Sequence, residues 1–166
     1  SEHDHLYNGT YNLGFIGVRR GEETARILNW WERRCLDNGF SEGRTGLFVD
    51  QKWKNLAPVL FENVLVLRHL GCNMAYWNLQ ERWLELDERS PHETDRGYVV
   101  RGVSGETSDL YFFHYSGIVV DDPGMLSKNT NRFTLVDRPD LSELFANYKV
   151  AVLANRDERR EAVPYG

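Results

Sequence analysis

Cysteine is scarce: the chain has two, Cys35 and Cys72, in 166 residues. Both stand in apolar surroundings, one of them on an expected helix. They read as buried free thiols of a reducing compartment rather than as a disulfide. Long hydrophobic runs are missing too, and no apolar stretch approaches the roughly 20 residues of a membrane helix. The polar opening Ser-Glu-His-Asp-His (1–5) has no signal-peptide pattern, so the expected location is cytoplasmic. There is no basic run, the net charge is −5, and no RNA-type or DNA-type motif occurs, which argues against a nucleic-acid partner. No glycine-rich phosphate loop, internal repeat, low-complexity segment or linker is present.

What is there is globular. The chain is 41% hydrophobic and 27% charged, and is long enough for a single domain, or a piece of one, with a real core. Aromatic residues make up 13%, a stock of rigid amphipathic rings that suits cores and sugar-stacking surfaces alike. His3, Asp4 and His5 could hold a metal, but a terminal trio is more simply a frayed end.

Residues 11–18 (Tyr-Asn-Leu-Gly-Phe-Ile-Gly-Val) are expected to form a strand. Gly14 and Gly17 mark a bulge or a close approach within it, and Asn12 is its polar residue. Ala25, Leu28, Trp31, Cys35 and Leu36 recur at helical spacing, which predicts a helix over 21–37 with a charged wet face. Asn38-Gly39 ends it as a left-handed stop. In 46–53 (Gly-Leu-Phe-Val-Asp-Gln-Lys-Trp) an apolar run meets Asp50 and Gln51. A second helical pattern follows through Leu56, Ala57, Leu60 and Phe61. Asp50 either caps that helix or, with Gln51, points into a polar pocket and binds hydroxyl groups.

Val64 to Arg68 predicts a strand buried on both faces. Residues 71–78 (Gly-Cys-Asn-Met-Ala-Tyr-Trp-Asn) are expected to be extended. There Asn73, Tyr76 and Trp77 serve as core packing or as a sugar or acceptor wall. A loop is expected over 89–97, a strand over 98–102, a turn over 104–108 and a strand over 110–117. His114 near the end of that strand is a hydrogen-bonded core residue or a ligand. Residues 121–124 form a turn and 127–132 a polar loop, whose Lys128 and Arg132 suit a surface or a phosphate. Asp140 is expected to cap a final helix over 141–155, with Leu141, Leu144, Phe145, Tyr148 and Val152 on one face. The elements add up to a mixed α/β sheet with flanking helices.

Five segments then resemble, in order, the second half of a glycosyltransferase of the GT-A fold. They are 11–18, 46–53, 71–79, Phe-Phe-His-Tyr-Ser-Gly (112–117) and Leu-Ser-Lys-Asn (126–129). The resemblance is to bacterial enzymes related to the glycogenin and lipopolysaccharide-galactosyltransferase group. It implies transfer of a sugar from a nucleotide-diphospho-sugar donor to a glycan or other acceptor. By that resemblance Asn12 contacts the donor sugar, and Asp50 and Gln51 bind its hydroxyls near the reacting carbon. His114 is a ligand of a divalent ion, Mn or Mg, that bridges the diphosphate. Gly117 lets the backbone approach the diphosphate, and Lys128 neutralises it from further along the chain than in the glycogenin-like pattern. Asn73, Tyr76 and Trp77 form the acceptor wall. The family retains anomeric configuration, and with no well-placed nucleophile here a front-face transfer is expected.

The departures are as informative. The chain has no Asp-x-Asp and no opening βαβ unit. The expectation is a fragment that carries the acceptor side and part of the donor side. The missing N-terminal half of the same protein would supply the remaining metal ligands, since His114 alone cannot hold a hard divalent ion. The fragment by itself is then expected to be inactive. A non-catalytic carbohydrate-binding or scaffold domain of the same fold is the alternative.

Overall fold

In the computed structural model the described residues are 2–87 and 97–157. Helices and strands are mixed along the chain, which confirms the α/β pattern at that level. The chain divides into two compact units, Ser1–Arg68 and His69–Gly166.

The first unit holds α1 (Glu2–Asn8), α2 (Glu22–Asn38), a short hairpin of β1 (Ser41–Glu42) and β2 (Leu47–Phe48), a 3-10 turn (Lys52–Leu56) and α3 (Ala57–Leu60). The expected helix over 21–37 is α2, shifted by one residue. It docks through its tryptophans. Trp31 Nε1 donates to the Asp50 carbonyl at 3.1 Å, and the Lys54 ammonium lies 3.7 Å from the Trp31 ring centroid. Trp53 Nε1 donates back to the Asn38 carbonyl at 3.3 Å, and Trp30 meets Phe61 edge to face at 5.3 Å.

Several expectations fail in this unit. Gly39 is not left-handed (φ −85°). Glycine is needed there because a Cβ would lie 2.4 Å from the Cys35 carbonyl oxygen. Asp50 caps nothing, since Gln51 already has helical dihedrals and no side-chain cap bond forms. The residue that flanks the turn is Gln51, whose helical backbone is not the extended conformation a capping side chain needs. The helix expected after Trp53 shrinks to a 3-10 turn and one α turn, with Pro58 at its start. Residues 11–18 and 64–68 are not strands, and 64–68 is not buried on both faces.

The second unit has the core. The strand β3 (Arg82–Leu86) pairs antiparallel with β4 (Tyr98–Gly102), and β4 with β5 (Thr107–Asp109). The helix α4 (Ser142–Ala154) follows a 3-10 turn at Pro139–Leu141. Met74, Leu79, Leu84, Val100, Leu126, Leu141 and Phe145 form one dry cluster. The expected apolar face of the last helix is correct. Its third turn adds Lys149, buried with its ammonium donating to the Asp122 carbonyl. The strand at 98–102 and the turn at 121–124 also stand, the latter closed by Asp122 accepting from the Gly124 and Met125 N–H groups.

Other expectations here are corrected. Residues 71–78 are a series of turns, and 110–117 contributes one parallel bridge, Met74 to Phe113, in place of a strand. The aromatics of that run turn inward instead. Phe113 and Tyr115 pack on Phe145, and Tyr115 stacks on Tyr148 at 3.7 Å. β5 begins within the expected turn at 104–108. Asp140 is not a helix cap: its carboxylate accepts from Arg138 Nε (2.8 Å), Arg138 Nη2 (2.6 Å) and the Leu84 N–H (3.0 Å). The pairing fixes the start of α4 against β3. Most of the loop expected over 89–97 and of the charged end after Arg156 lies outside the described residues. Cys35 and Cys72 are free thiols as expected, but only half-buried.

Candidate functional site

The site residues named from the sequence fall in both units. Asn12, Asp50 and Gln51 belong to the first; Asn73, Tyr76, Trp77, His114, Gly117 and Lys128 belong to the second.

In the first unit Asn12 and Gln51 are joined. Asn12 Nδ2 donates to Gln51 Oε1 at 3.1 Å, while Gln51 Nε2 donates to the Asn8 carbonyl at 3.0 Å. Asn12 Oδ1 accepts the Gly14 N–H at 2.8 Å. Each amide therefore already serves the backbone as well as its partner amide. Val49, just before Asp50, sits in the left-handed region (φ 39°), a strained choice for a β-branched residue. The Asp50 carboxylate acts electrostatically on Cys35 and Lys54. Burial first, then Asp50, pushes the Cys35 thiol above its ordinary value, against an opposing effect of Lys54. Burial also pulls the Lys54 ammonium below its ordinary value, although Cys35 and Asp50 both oppose this. Asp50 thus belongs to a half-buried polar cluster with Trp31, Cys35 and Lys54.

In the second unit four of the named residues converge. His114 Nδ1 lies 3.2 Å from Asn73 Oδ1, and the His114 ring meets Trp77 edge to face at 5.0 Å. Trp77 in turn meets Tyr76 at 5.0 Å. The backbone sets this up: His114 N–H donates to the Met74 carbonyl at 2.8 Å, which locks 112–114 against 73–75. Asn73 takes a left-handed conformation (φ 55°), which asparagine tolerates better than most residues. Asn78 holds that turn. Its Oδ1 accepts the Ala75 N–H at 3.0 Å and its Nδ2 donates to the Asn73 carbonyl at 2.9 Å.

The imidazole is half-buried, not sealed in hydrocarbon. Burial pulls it below the ordinary histidine value, so it is neutral at neutral pH. With Nδ1–H donated to the Asn73 amide oxygen, Nε2 keeps the lone pair. An imidazole held by one nitrogen and basic at the other is the form that accepts a proton or binds a cation.

Gly117 and Lys128 are also brought together. Lys128 N–H donates to the Gly117 carbonyl at 2.8 Å. Gly117 has φ +70°, and a Cβ there would lie 2.5 Å from Asn129 Nδ2 and 2.7 Å from Ser127 Oγ. Only glycine fits. Ser127, which the sequence reading passed over, pins this loop: its Oγ donates to the Ser116 carbonyl at 2.7 Å and accepts the Asn129 N–H at 3.1 Å.

Two arginines also escaped the sequence reading, and they support the whole cluster. Arg82 Nη1 donates to the Leu70 and Cys72 carbonyls at 2.8 and 3.0 Å. Arg138 donates to the Leu79 and Arg82 carbonyls at 2.7 and 2.8 Å. They satisfy the carbonyls of the turns that carry Asn73, Tyr76 and Trp77. The only advance signal for Arg138 was its place two residues before Asp140.

A divalent ion is not accounted for by these residues alone. No group of three or more His, Cys, Asp or Glu that could hold a metal occurs among the described residues. His114 and Asn73 offer one nitrogen and one amide oxygen, against about six ligands for a hard cation.

No protein-family model matches the chain, and no solved structure matches it. It is similar to two curated proteins of Bacillus subtilis (strain 168). One is "Uncharacterized protein YfnF", 28% identical over 137 residues, which are 82% of this chain and 41% of that protein. The other is "Uncharacterized protein YfnD", 25% identical over 114 residues, 68% of this chain and 33% of that protein. The chain thus spans about two fifths or less of the length of these relatives. No helix among the described residues is long and apolar enough to cross a membrane.

Proposed function

We propose that this chain is part of a GT-A-type glycosyltransferase that uses a nucleotide-diphospho-sugar, and that its second unit carries part of the donor and acceptor site. The observation behind this reading is the Asn73–His114–Trp77 cluster. It combines a half-buried neutral imidazole with a basic nitrogen, an amide that orients it, and two aromatic rings. Trp77 and Tyr76 offer rings for a sugar to stack on, and Asn73 offers hydrogen bonds to its hydroxyls. Ser127 and Asn129 side chains fill the space over Gly117 and hold the loop, and the exposed Lys128 in that loop carries a positive charge. Departure of a diphosphate builds negative charge, which such a cation stabilises. A divalent ion, if used, takes His114 and further ligands from outside this chain.

A second reading is a non-catalytic carbohydrate-binding domain of the same fold. The Tyr76–Trp77 wall favours it, since stacking on a sugar needs no metal and no diphosphate.

Calorimetry on the longer protein with nucleotide-diphospho-sugars and Mn²⁺ separates the two. Saturable binding lost in His114→Ala and weakened in Trp77→Ala supports the transferase. Binding of a glycan without any nucleotide-sugar supports the second reading. Unchanged binding and turnover in both variants would make the cluster purely structural.

A further inference from the structure

We propose that a cleft between α2 and Phe61, within the first unit, binds a monophosphorylated sugar, whether or not the second unit takes part in sugar transfer.

The cleft has a volume of about 360 Å³, within the range of small-molecule sites, and is lined by Arg26, Asn29, Trp30, Arg33, Arg34 and Phe61. Spacing along α2 builds it. Residues 26, 29, 30, 33 and 34 recur at intervals of three and four, so they share one face of the helix. Phe61, at the end of α3, packs on that face by meeting Trp30 edge to face at 5.3 Å. Two half-buried rings therefore lie beside three exposed arginines.

The positive charge there is not balanced from within. Arg26 is paired with Glu23 at 2.6 Å, and Glu23 also accepts the Glu62 N–H at 3.2 Å. Arg34 lies 5.8 Å from the Trp53 ring centroid and has no carboxylate partner among the described residues. Arg33 and Asn29 have no side-chain partner of any kind among them. Two uncompensated guanidiniums match a phosphomonoester, whose charge at neutral pH is about −2. The guanidinium fork also fits a pair of phosphate oxygens.

The rings favour a sugar over a nucleobase as the rest of the ligand. Trp30 and Phe61 lie at 64° to each other, so they leave no parallel slot to sandwich a flat base. A single ring face suits the C–H face of a sugar, and the Asn29 amide can both donate to and accept from hydroxyl groups. Arginines alone would take any anion; the rings beside them supply the apolar part of the recognition.

Calorimetry on the longer protein tests this with a set of hexose 6-phosphates, inorganic phosphate, free hexoses and uridine monophosphate. At least one hexose phosphate should bind saturably, about tenfold or more tighter than inorganic phosphate or its free hexose. Arg33→Gln, at an exposed position, should weaken that binding about tenfold and leave the melting temperature unchanged. His114→Ala, in the second unit, should leave the binding in place, which keeps this site distinct from the transferase reading. No saturable binding of any hexose phosphate overturns the proposal. Inorganic phosphate that binds equally tightly reduces the cleft to a bare anion site and overturns it as well. So do tighter binding of uridine monophosphate, unchanged affinity in Arg33→Gln, and loss of binding in His114→Ala, which would put the ligand elsewhere.

Discussion

The two units are built from similar residues and end up differently. The second has all seven members of the dry cluster, from Met74 to Phe145. In the first, the buried positions among the described residues are Gly9, Lys54 and Ala57. Tryptophan-to-carbonyl hydrogen bonds and a cation over a ring hold it together, while Ile16, Val18, Leu65 and Leu67 are exposed. Burying apolar area is what stabilises a domain on its own. The second unit has that source of stability, and the first relies on polar contacts each worth about 1 kcal/mol.

Phe145→Ala breaks the comparison hardest. Truncating this fully buried ring should cost about 3–5 kcal/mol, read as a lower melting temperature of the second unit. The matching truncation Leu65→Ala, in the 166-residue chain, should stay within about 0.5 kcal/mol. Similar losses in both would erase the contrast.

Asp140→Ala comes next, at about 3 kcal/mol, because it strips the buried Arg138 of its carboxylate. Burial would raise the Asp140 carboxyl, but the Arg138 and Leu84 hydrogen bonds and the Arg138 charge together hold it below the ordinary range. Its contribution is therefore present above the unfolded carboxylate pKa and is lost as pH falls through the lower folded value. Acid titration of the variant should lack that part of the loss. Gly117→Ala should cost about 1–2 kcal/mol from the left-handed backbone alone, more with the contact to Asn129, and should loosen the loop bearing Lys128.

Asn73→Ala should cost about 1 kcal/mol. His114 has a folded pKa lowered by burial, so the unfolded state takes up the proton first. Stability attributable to it is present above the ordinary histidine value and falls as pH drops through the folded one. The smallest effect is a gain: Val49→Gly should relieve left-handed strain, raising stability by no more than about 1 kcal/mol in a thermal melt.

Legibility in the sequence followed the same division. Helical periodicity placed α2 and the apolar face of α4, because 3.6-residue spacing is local information. From the segments 71–78 and 112–117, which the sequence singled out, the structure gathers Asn73, Tyr76, Trp77 and His114. Strands were read less well. Val64–Arg68 has every local mark of a strand, but pairing depends on a partner that no local pattern encodes. β3 was missed because Arg-Trp-Leu-Glu-Leu alternates too weakly to be told from a helix turn. Asp140 looked like a cap because an acid before an apolar run usually is one; the competing pull of Arg138, at a distance of two residues, decided otherwise. Asp50 lost its capping role because Gln51, already helical, flanks the turn, and Ser127 and Arg138 act through carbonyls that only folding brings near.

The most direct measurement concerns the imidazole of His114. A nucleotide-diphospho-sugar is titrated into the longer protein while the ring resonances of that histidine are followed by NMR. The account predicts saturable shifts that track occupancy and disappear in Trp77→Ala. Binding that leaves those resonances unmoved, or no binding at any donor concentration tried, would contradict it.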